Sequence, residues 1–197
     1  MSLKEQAAKD KFLDKNLEKG YITPLDSPYG FSTFMVPKKD LDEMWYIIDY
    51  RPLNAVTRQD VTPLPHLSTC IENLQGMELF SKFDVRWGYN NIRIRPEDQW
   101  KGAFKMRHGL FEPKVMFFGM SNSPGTFQQF MNHILEPWYK KYRRKEGSNY
   151  MDDISIGTLL KDIKKYIMMI HNLFDILVKH RLHLKLSKST FMQPQMD

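Results

Sequence analysis

Three aspartates give the sequence its clearest chemical signal. Asp152 and Asp153 are adjacent in the segment 150–156, where Ile154 and Ile156 alternate as they would in a short β-hairpin. Adjacent carboxylates repel each other and are costly near a core unless a cation or an exposed turn offsets their charge. By itself the pair is better explained as a solvated surface turn. A functional site is favoured only if the third aspartate, Asp84, can reach the pair.

Three carboxylates on adjoining strands would suit Mg²⁺, because this hard cation prefers oxygen ligands and leaves room for substrate phosphates. The chain offers no His or Cys residues at the spacing of a softer metal site. Two such ions can hold the attacking and leaving oxygens of an in-line phosphoryl transfer. The chemistry predicted here is nucleotidyl transfer or phosphodiester cleavage, and three unrelated surface acids are the competing interpretation.

The composition bounds the class of protein. A chain of 197 residues can form one sizeable core, alone or with a small attached subdomain. Lys and Arg outnumber Asp and Glu by 29 to 23, which is compatible with a nucleic-acid partner but does not establish one. The single cysteine, Cys70, excludes an internal disulfide and favours a reducing compartment. With no apolar run of membrane-spanning length and no signal-peptide core, we expect an intracellular chain without a membrane partner.

Patterning in the first half of the chain predicts helices and a hairpin. Residues 3–19 should form an amphipathic helix closed by Gly20, and an irregular proline-containing segment follows. Two strands, 31–36 and 45–48, are expected to pair around the polar turn between them. A second helix should open at Pro63 and present apolar residues at helical spacing.

Patterning in the second half predicts further strands, two long helices and a hairpin that carries the aspartate pair. A helix that begins within 121–124 should be kinked or ended by Pro137. A second helix, 161–180, has one predicted apolar face formed by Ile163, Ile167, Ile170, Phe174 and Leu177. Besides the hairpin, the predicted strands are 79–85, 92–94, 103–106, 115–118 and 182–186.

From Leu79 onward the predicted order is strand, helix, hairpin, helix, strand. This order is close to the β-α-β-β-α-β ferredoxin-like plan, and it places the chain in the α+β class. In that plan the strand with Asp84 and the hairpin with Asp152 can lie side by side. Asp84 can therefore meet the aspartate pair although the two are far apart in sequence.

Six blocks of the sequence occur in an order and spacing typical of one enzyme family. They are VPKKD (36–40), IIDYRPLN (47–54), PLPHLSTCIENLQGMELFSKFDVRWGYNNIRI (63–94), GLFEPKVMFFGMSNSPGTFQQFMN (109–132), YMDDISIGT (150–158) and LHLKLSKSTF (182–191). Together they resemble the fingers and palm of reverse transcriptases from gypsy-class long-terminal-repeat retrotransposons. The resemblance implies a polymerase palm with a ferredoxin-like core and a fingers subdomain. A lone YMDD motif is weak, whereas six ordered blocks are specific.

The resemblance also implies a division of the chain. Residues 1–20 would be an N-terminal helix, 21–78 the fingers, 79–100 the first part of the palm with the catalytic strand, 101–120 a hairpin between fingers and palm, and 121–197 the second part of the palm. The family continues into a thumb, a connection domain and a ribonuclease H. We expect these absent domains to be partners within a parent polyprotein.

The resemblance assigns a catalytic centre. Asp84, Asp152 and Asp153 would bind two Mg²⁺ ions, with Mn²⁺ as a substitute, and the backbone carbonyl of Val85 would be a further ligand. Lys188 would protonate the pyrophosphate leaving group. The alternative for Lys188 is a solvated surface charge.

The resemblance assigns substrate contacts as well. Tyr89 would lie under the incoming sugar and exclude a 2′-hydroxyl, unless it is a buried core tyrosine. Phe118 and Gly119 would place backbone near the nucleotide, since glycine permits close approach. Lys38 would reach the triphosphate, and Arg51 would steady the template; a solvated surface charge is the alternative for each.

One departure from the family concerns nucleotide binding. Trp45 stands where the family usually has an arginine that clamps the triphosphate, and tryptophan cannot form charge-assisted bonds to phosphate. Either Lys38 or Lys39 compensates, or nucleotide affinity is weakened.

Two functions of different classes follow. The leading hypothesis is an RNA-directed DNA polymerase that adds deoxynucleotides from dNTP to the 3′-hydroxyl of a primer on an RNA or DNA template. The alternative is a catalytically weak or inactive, co-opted retrotransposon remnant that binds nucleic acid or a protein partner. An RNA-templated RNA polymerase is disfavoured, because Tyr89 should reject ribonucleotides. The expected location is the cytoplasm, within a virus-like particle, or the nucleus.

Overall fold

A computed structural model describes residues 3–27, 29–37 and 44–195 and divides the chain into two compact units. The first unit comprises Met1–Gln59 and Tyr89–Ser123, and the second comprises Asp60–Gly88 and Pro124–Asp197. The helices are α1 (Leu3–Glu18), α2 (Arg51–Val56), α3 (Leu67–Glu72), α4 (Pro96–Gln99), α5 (Ser123–Tyr142) and α6 (Ile163–Lys179). The strands are β1 (Ile22–Pro24), β2 (Thr33–Pro37), β3 (Met44–Ile48), β4 (Leu79–Asp84), β5 (Phe104–Met106), β6 (Gly109–Pro113), β7 (Gly147–Tyr150), β8 (Asp153–Thr158) and β9 (Thr190–Gln193).

The first unit combines a three-stranded sheet with a hairpin. Strand β6 pairs with β1 and β5, and β2 pairs antiparallel with β3, so the predicted N-terminal helix and first hairpin are confirmed. Helix α1 contributes Leu13 to the core and stacks Phe12 on Tyr46 with ring centroids 4.0 Å apart. The buried members of this core are Leu13, Ile22, Ile48, Tyr50, Phe104, Phe111, Val115 and Phe117.

The second unit has the predicted β-α-β-β-α-β order. Its elements follow the chain as β4, α5, β7, β8, α6 and β9, and the sheet order is β7-β8-β4-β9 with antiparallel neighbours throughout. Each helix connects two strands that are not neighbours in the sheet, which is the split arrangement of the ferredoxin-like plan. The α+β prediction is confirmed.

The two faces of this sheet differ in character. Along β4 the residues Leu79, Ser81 and Phe83 are buried, and Phe83 packs edge-on against Phe174 of α6. The alternate residues of β4 point to the other face, because successive side chains of a strand alternate. On that face α3 borders a hollow of about 120 Å³ that is also lined by Lys82 and Asp153.

Two predicted helices differ in their ends. Helix α3 begins at Leu67 rather than Pro63, because a residue that precedes proline is restricted to extended conformations and Pro65 imposes this on Leu64. Pro137, expected to kink or end its helix, does not end it, since α5 continues to Tyr142.

The predicted apolar face of α6 was wrong for two of its five members, whereas Leu177 is buried and Phe174 packs on Phe83. Ile163 and Ile167 are 40% and 48% exposed. The buried residues of the helix are Tyr166, Met169, Leu173 and Leu177. Because apolar residues occur on neighbouring stripes of this helix, its periodicity alone admits more than one buried face.

Three predicted strands were also wrong. Residues 92–94 and 115–118 share a single bridge, between Arg93 and Val115, and form no strand. Residues 182–186 likewise have one bridge, from Leu184 to Val85, and the last strand is β9 instead. Segments this short do not by themselves specify a strand, whether they alternate, as 92–94 and 182–186 do, or are continuously apolar, as 115–118 is.

The boundaries of the two compact units are not those of the predicted subdomains, and the subdomain assignment stays a prediction. Residues 60–78, assigned to the fingers, lie in the second unit, where α3 contacts β7. Residues 89–100, assigned to the palm, lie in the first unit, where Arg93 pairs with Val115. No helix within the described ranges is both long and apolar enough to cross a membrane.

Candidate active site

Strand pairing brings the three aspartates together in the second unit. Asp84, the last residue of β4, lies directly opposite Asp153, the first residue of β8. Asp152 is in the two-residue turn between β7 and β8, and the amide of Val85 donates a 2.8 Å hydrogen bond to its carbonyl. The end of β4 is thus attached to the turn that carries the aspartate pair.

Like charges placed directly opposite each other on paired strands are destabilising. Here each carboxylate of the opposed pair has a lysine beside it. The Nζ of Lys188 is 3.5 Å from Oδ2 of Asp84, and the Nζ of Lys82 is 3.5 Å from Oδ2 of Asp153. These ion pairs are partly exposed and therefore weak, so they offset the repulsion only in part.

Asp152 differs from its two neighbours in electrostatic environment. Although the residue is exposed, atoms around its carboxyl partly desolvate it and raise its pKa. The charges of Asp153 and Asp84 raise the pKa further, whereas its own backbone amide and Lys188 lower it. A raised carboxyl pKa means that negative charge accumulates here at a cost, as expected where a cation is to bind.

The donor set fits a hard divalent cation in part. Across residues 3–27, 29–37 and 44–195, no three carboxylate, His or Cys side chains converge closely enough to enclose a metal ion. Mg²⁺ is commonly held by one or two carboxylates together with substrate phosphates, so it does not require such an enclosure. The opposed pair of Asp84 and Asp153 meets this lesser requirement.

Lys188 and Val85 are placed by the chain that follows α6. Lys188 ends a short 3₁₀ helix, Leu186–Lys188, and the amide of Lys185 donates a 2.8 Å hydrogen bond to the carbonyl of Asp84. Val85 is buried and bridged to Leu184. Both predicted residues are therefore beside Asp84, whatever their roles.

The residues predicted to contact the nucleotide lie in the first unit. The rings of Tyr89 and Phe118 are 5.0 Å apart between centroids. Gly119 has a φ of +102°, and a Cβ there would lie 3.2 Å from the carbonyl oxygen of Ile48, so only glycine fits without strain. The backbone of Gly119 thus lies close to that of Ile48, and its contact with a nucleotide stays a prediction.

Arg51, the predicted template residue, begins α2 and is held by Asp49. Its Nε and Nη2 donate hydrogen bonds of 2.8 and 2.7 Å to the two carboxylate oxygens. This bidentate bond lowers the pKa of Asp49 to about 2 and raises that of Arg51. The guanidinium is 87% exposed but fixed in direction.

Two predicted positions cannot be placed at the side-chain level. Lys38 and its neighbour Lys39 lie outside the described residues. Trp45 is opposite Val36 in the β2–β3 hairpin, and only its backbone is described.

Comparison with known proteins decides the family. Residues 36–197 match the family described as reverse transcriptase (RNA-dependent DNA polymerase). The chain belongs to the reverse transcriptase family. It is 31% identical over 192 residues to the transposon Tf2-3 polyprotein of Schizosaccharomyces pombe. The aligned region covers 98% of this chain and 14% of the polyprotein. The chain is 32% identical over 183 residues to the retrovirus-related Pol polyprotein from transposon 297 of Drosophila melanogaster. The aligned region covers 91% of this chain and 17% of that protein.

These relatives confirm a reverse transcriptase domain of the long-terminal-repeat retrotransposon type, and the domain spans about one seventh of the curated polyproteins it matches. Solved structures agree on the reverse transcriptase fold. A foamy viral protease-reverse transcriptase in complex with double-stranded DNA superposes with a TM-score of 0.88 at 22% identity, covering 99% of this chain and 33% of that one. The same enzyme with an RNA/DNA hybrid gives a TM-score of 0.86 at 22% identity, covering 97% and 25%.

Sequence reasoning missed Asn54 of this reverse transcriptase domain. Its side chain donates a 2.8 Å hydrogen bond to the carbonyl of Gly119 and accepts a 2.9 Å bond from the amide of Ser121. Asn54 therefore holds the loop that contains Phe118. It lies within the block 47–54, but no spacing rule in the sequence pairs it with a loop that follows so much later.

Proposed function

We propose that this domain catalyses RNA-directed DNA synthesis, adding deoxynucleotides to a primer 3′-hydroxyl by metal-assisted nucleotidyl transfer. The observation that carries the proposal is the pairing of Asp84 with Asp153, beside the turn that contains Asp152, in a reverse transcriptase fold. Positioning and charge stabilisation supply most of the catalysis in phosphoryl transfer, so two or three fixed carboxylates are the main requirement.

Divalent metal ions are general to the family, and the identity and number of ions belong to the proposal. Asp84, Asp152 and Asp153, with the carbonyl of Val85, would hold two Mg²⁺ ions, or Mn²⁺ in their place. Bound there, the ions would stabilise the charge that develops on the phosphoryl oxygens. The chain's own task is to fix the carboxylates through strand pairing, and Lys188 would hold a proton near Asp84 for the leaving group.

The proposed substrates are a primed RNA or DNA template and dNTP. Solved reverse transcriptases that share this fold are described in complex with double-stranded DNA and with an RNA/DNA hybrid, which supports a duplex partner. In the first unit, Tyr89 with Phe118 and Gly119 would contact the nucleotide, Lys38 the triphosphate and Arg51 the template.

Primer extension tests the proposal directly. The wild-type chain is incubated with a primed RNA template, dNTPs and Mg²⁺, in parallel with Asp152→Asn and with the surface control Asp98→Asn. We expect extension by the wild type and by Asp98→Asn, and at least a 100-fold loss in Asp152→Asn with folding retained, because a metal-binding carboxylate becomes neutral. Equal extension by all three proteins would refute the assignment.

Binding without catalysis is the second candidate function. The lysines beside Asp84 and Asp153 and the replacement of the clamp arginine by Trp45 favour it. Tight primer–template binding with no product at any Mg²⁺ or Mn²⁺ concentration would establish it. In either case we propose a parent polyprotein and an intracellular site, in the cytoplasm or the nucleus; fractionation of expressing cells tests the latter.

A further inference from the structure

A buried glutamine contacts the turn that carries the aspartate pair. Gln128 of α5 is 0% exposed, and its Oε1 accepts a 2.6 Å hydrogen bond from the amide of Met151. Met151 has a φ of +50°, a left-handed conformation that is uncommon for any residue with a side chain. Such a conformation persists only where surrounding contacts determine it.

The glutamine is itself oriented by a chain of polar side chains. Its Nε2 donates a 2.9 Å hydrogen bond to Oδ1 of Asn132, which also accepts a 3.4 Å bond from Nδ2 of Asn149. The hydroxyl of Tyr139 donates a 2.7 Å bond to Oδ1 of Asn149. An amide has one donor end and one acceptor end, so the bond to Asn132 leaves Oε1 of Gln128 directed at Met151.

Packing alone does not require polar side chains at the positions of this network. Gln128 and Asn149 are buried, and an aliphatic side chain of similar volume at a buried position avoids the cost of desolvating an amide. The turn is a two-residue hairpin loop, and Met-Asp is not a sequence that favours left-handed loop conformations by itself. The turn is therefore held from two sides, by Gln128 at Met151 and by Val85 at the carbonyl of Asp152.

We propose that Gln128 is a positioning residue of the active site, which holds the Met151 turn so that Asp152 and Asp153 are presented for metal binding. The inference rests on the proposed function for its catalytic consequence, but not for its effect on metal affinity. Misplacing a catalytic group by about 1 Å can cost about 100-fold in rate, so the effect of losing this bond is measurable.

The decisive variant is Gln128→Met, which keeps the length of the side chain and removes both ends of the amide. The matched control is Gln75→Met, the same change at an exposed residue of the second unit. For each protein we measure Tm, the Mn²⁺ dissociation constant without substrate, and kcat, the dNTP KM and the half-saturating Mg²⁺ concentration in primer extension.

We expect Gln128→Met to bind Mn²⁺ more weakly and to require more Mg²⁺, with kcat reduced about 10- to 100-fold and the dNTP KM little changed. Gln75→Met should match the wild type. Wild-type Mn²⁺ affinity and Mg²⁺ dependence in folded Gln128→Met would overturn the proposal. If the wild type extends no primer, the proposed function fails, yet the Mn²⁺ affinities still decide this inference.

Asn132→Leu keeps the proposal testable if Gln128→Met does not fold. It removes the partner that orients Gln128 and does not touch the turn. We expect a smaller loss of Mn²⁺ affinity in the same direction, and an unchanged affinity would overturn the role of the network.

Discussion

Asp84 and Asp153 oppose each other across two antiparallel strands, and each has a lysine nitrogen 3.5 Å from one of its carboxylate oxygens. Strand pairing therefore places two carboxylates on the same face of the sheet, each with a lysine as its countercharge. Lys82 and Lys188 partly offset the negative charge of these two carboxylates. A metal ion held by the aspartates, as proposed above, would compete with these lysines for the same oxygens, so we expect the response to Mg²⁺ to depend on Lys82 and Lys188 as well.

Replacing Lys82 should ease this competition. In Lys82→Met the half-saturating Mg²⁺ concentration in primer extension should fall about two- to fivefold, since a partly exposed ion pair contributes up to about 1 kcal/mol. The control is Lys164→Met, an exposed lysine on α6. A titration in which Lys82→Met requires as much Mg²⁺ as the wild type, or more, would contradict the competition.

Neutralising Asp152 should stabilise the ion-free protein. Because burial and the charges of Asp153 and Asp84 raise the pKa of Asp152, its ionised form is disfavoured in the folded state. In EDTA at pH 7, Asp152→Asn should therefore be slightly more stable than the wild type, with a small rise in Tm, because solvent screens much of this effect. Asp153→Asn loses its contact with Lys82 and should show no gain, so equal stabilisation by both variants would argue against this account.

A methyl group at Gly147 should destabilise the second unit. A Cβ there would lie 2.5 and 2.6 Å from ring atoms of Trp138, which is buried and donates a 2.9 Å hydrogen bond to the carbonyl of Met169. Because the indole cannot retreat without losing that bond, Gly147→Ala should cost about 1–3 kcal/mol in urea denaturation. Gly88→Ala, whose Cβ would make ordinary contacts of at least 3.7 Å, is the control and should lose much less.

The ion pair of Asp49 with Arg51 predicts a pH dependence. The pKa of Asp49 is lowered to about 2, so the folded state binds its proton less readily than the unfolded chain does. The stabilisation from this pair is therefore present above about pH 4 and is lost as the pH falls towards about 2. An NMR titration should show the pKa of Asp49 returning to about 4 in Arg51→Ala and remaining low in Arg58→Ala. A low pKa in Arg51→Ala would exclude Arg51 as its cause.

The parts of the fold that could be predicted are those with a strong period. The alternation from Leu79 to Phe83 and the spacing of apolar residues in α5 specified the elements that bring Asp84 to the aspartate pair. Residues 115–118 were misassigned because an apolar run is buried in an irregular segment as readily as in a strand, and residues 182–186 because an alternation of five residues is too short to specify one. Strand β9 was missed because its residues are exposed on an edge of the sheet and show no alternation.

Only those residues of the candidate site that belong to a recognised sequence motif could be predicted. The three aspartates come from recognisable blocks, whereas Gln128 and Asn54 act through hydrogen bonds to backbone amides and carbonyls far along the chain. A polar residue in an apolar helical stripe signals that a partner exists, but it does not say which one. Lys82 was overlooked for the same reason, since strand register had to be known before it could be placed beside Asp153.

Alternate residues of strand β4 serve different purposes, one set in the core and the other at the candidate active site. Leu79, Ser81 and Phe83 are buried on the face that packs against α6, whereas Lys82 and Asp84 lie on the opposite face, beside Asp153. A substitution on one face of this strand should have little effect on the residues of the other face. We therefore expect substitutions at Lys82 to alter the proposed ion requirement while the packing of Phe83 against α6 stays intact.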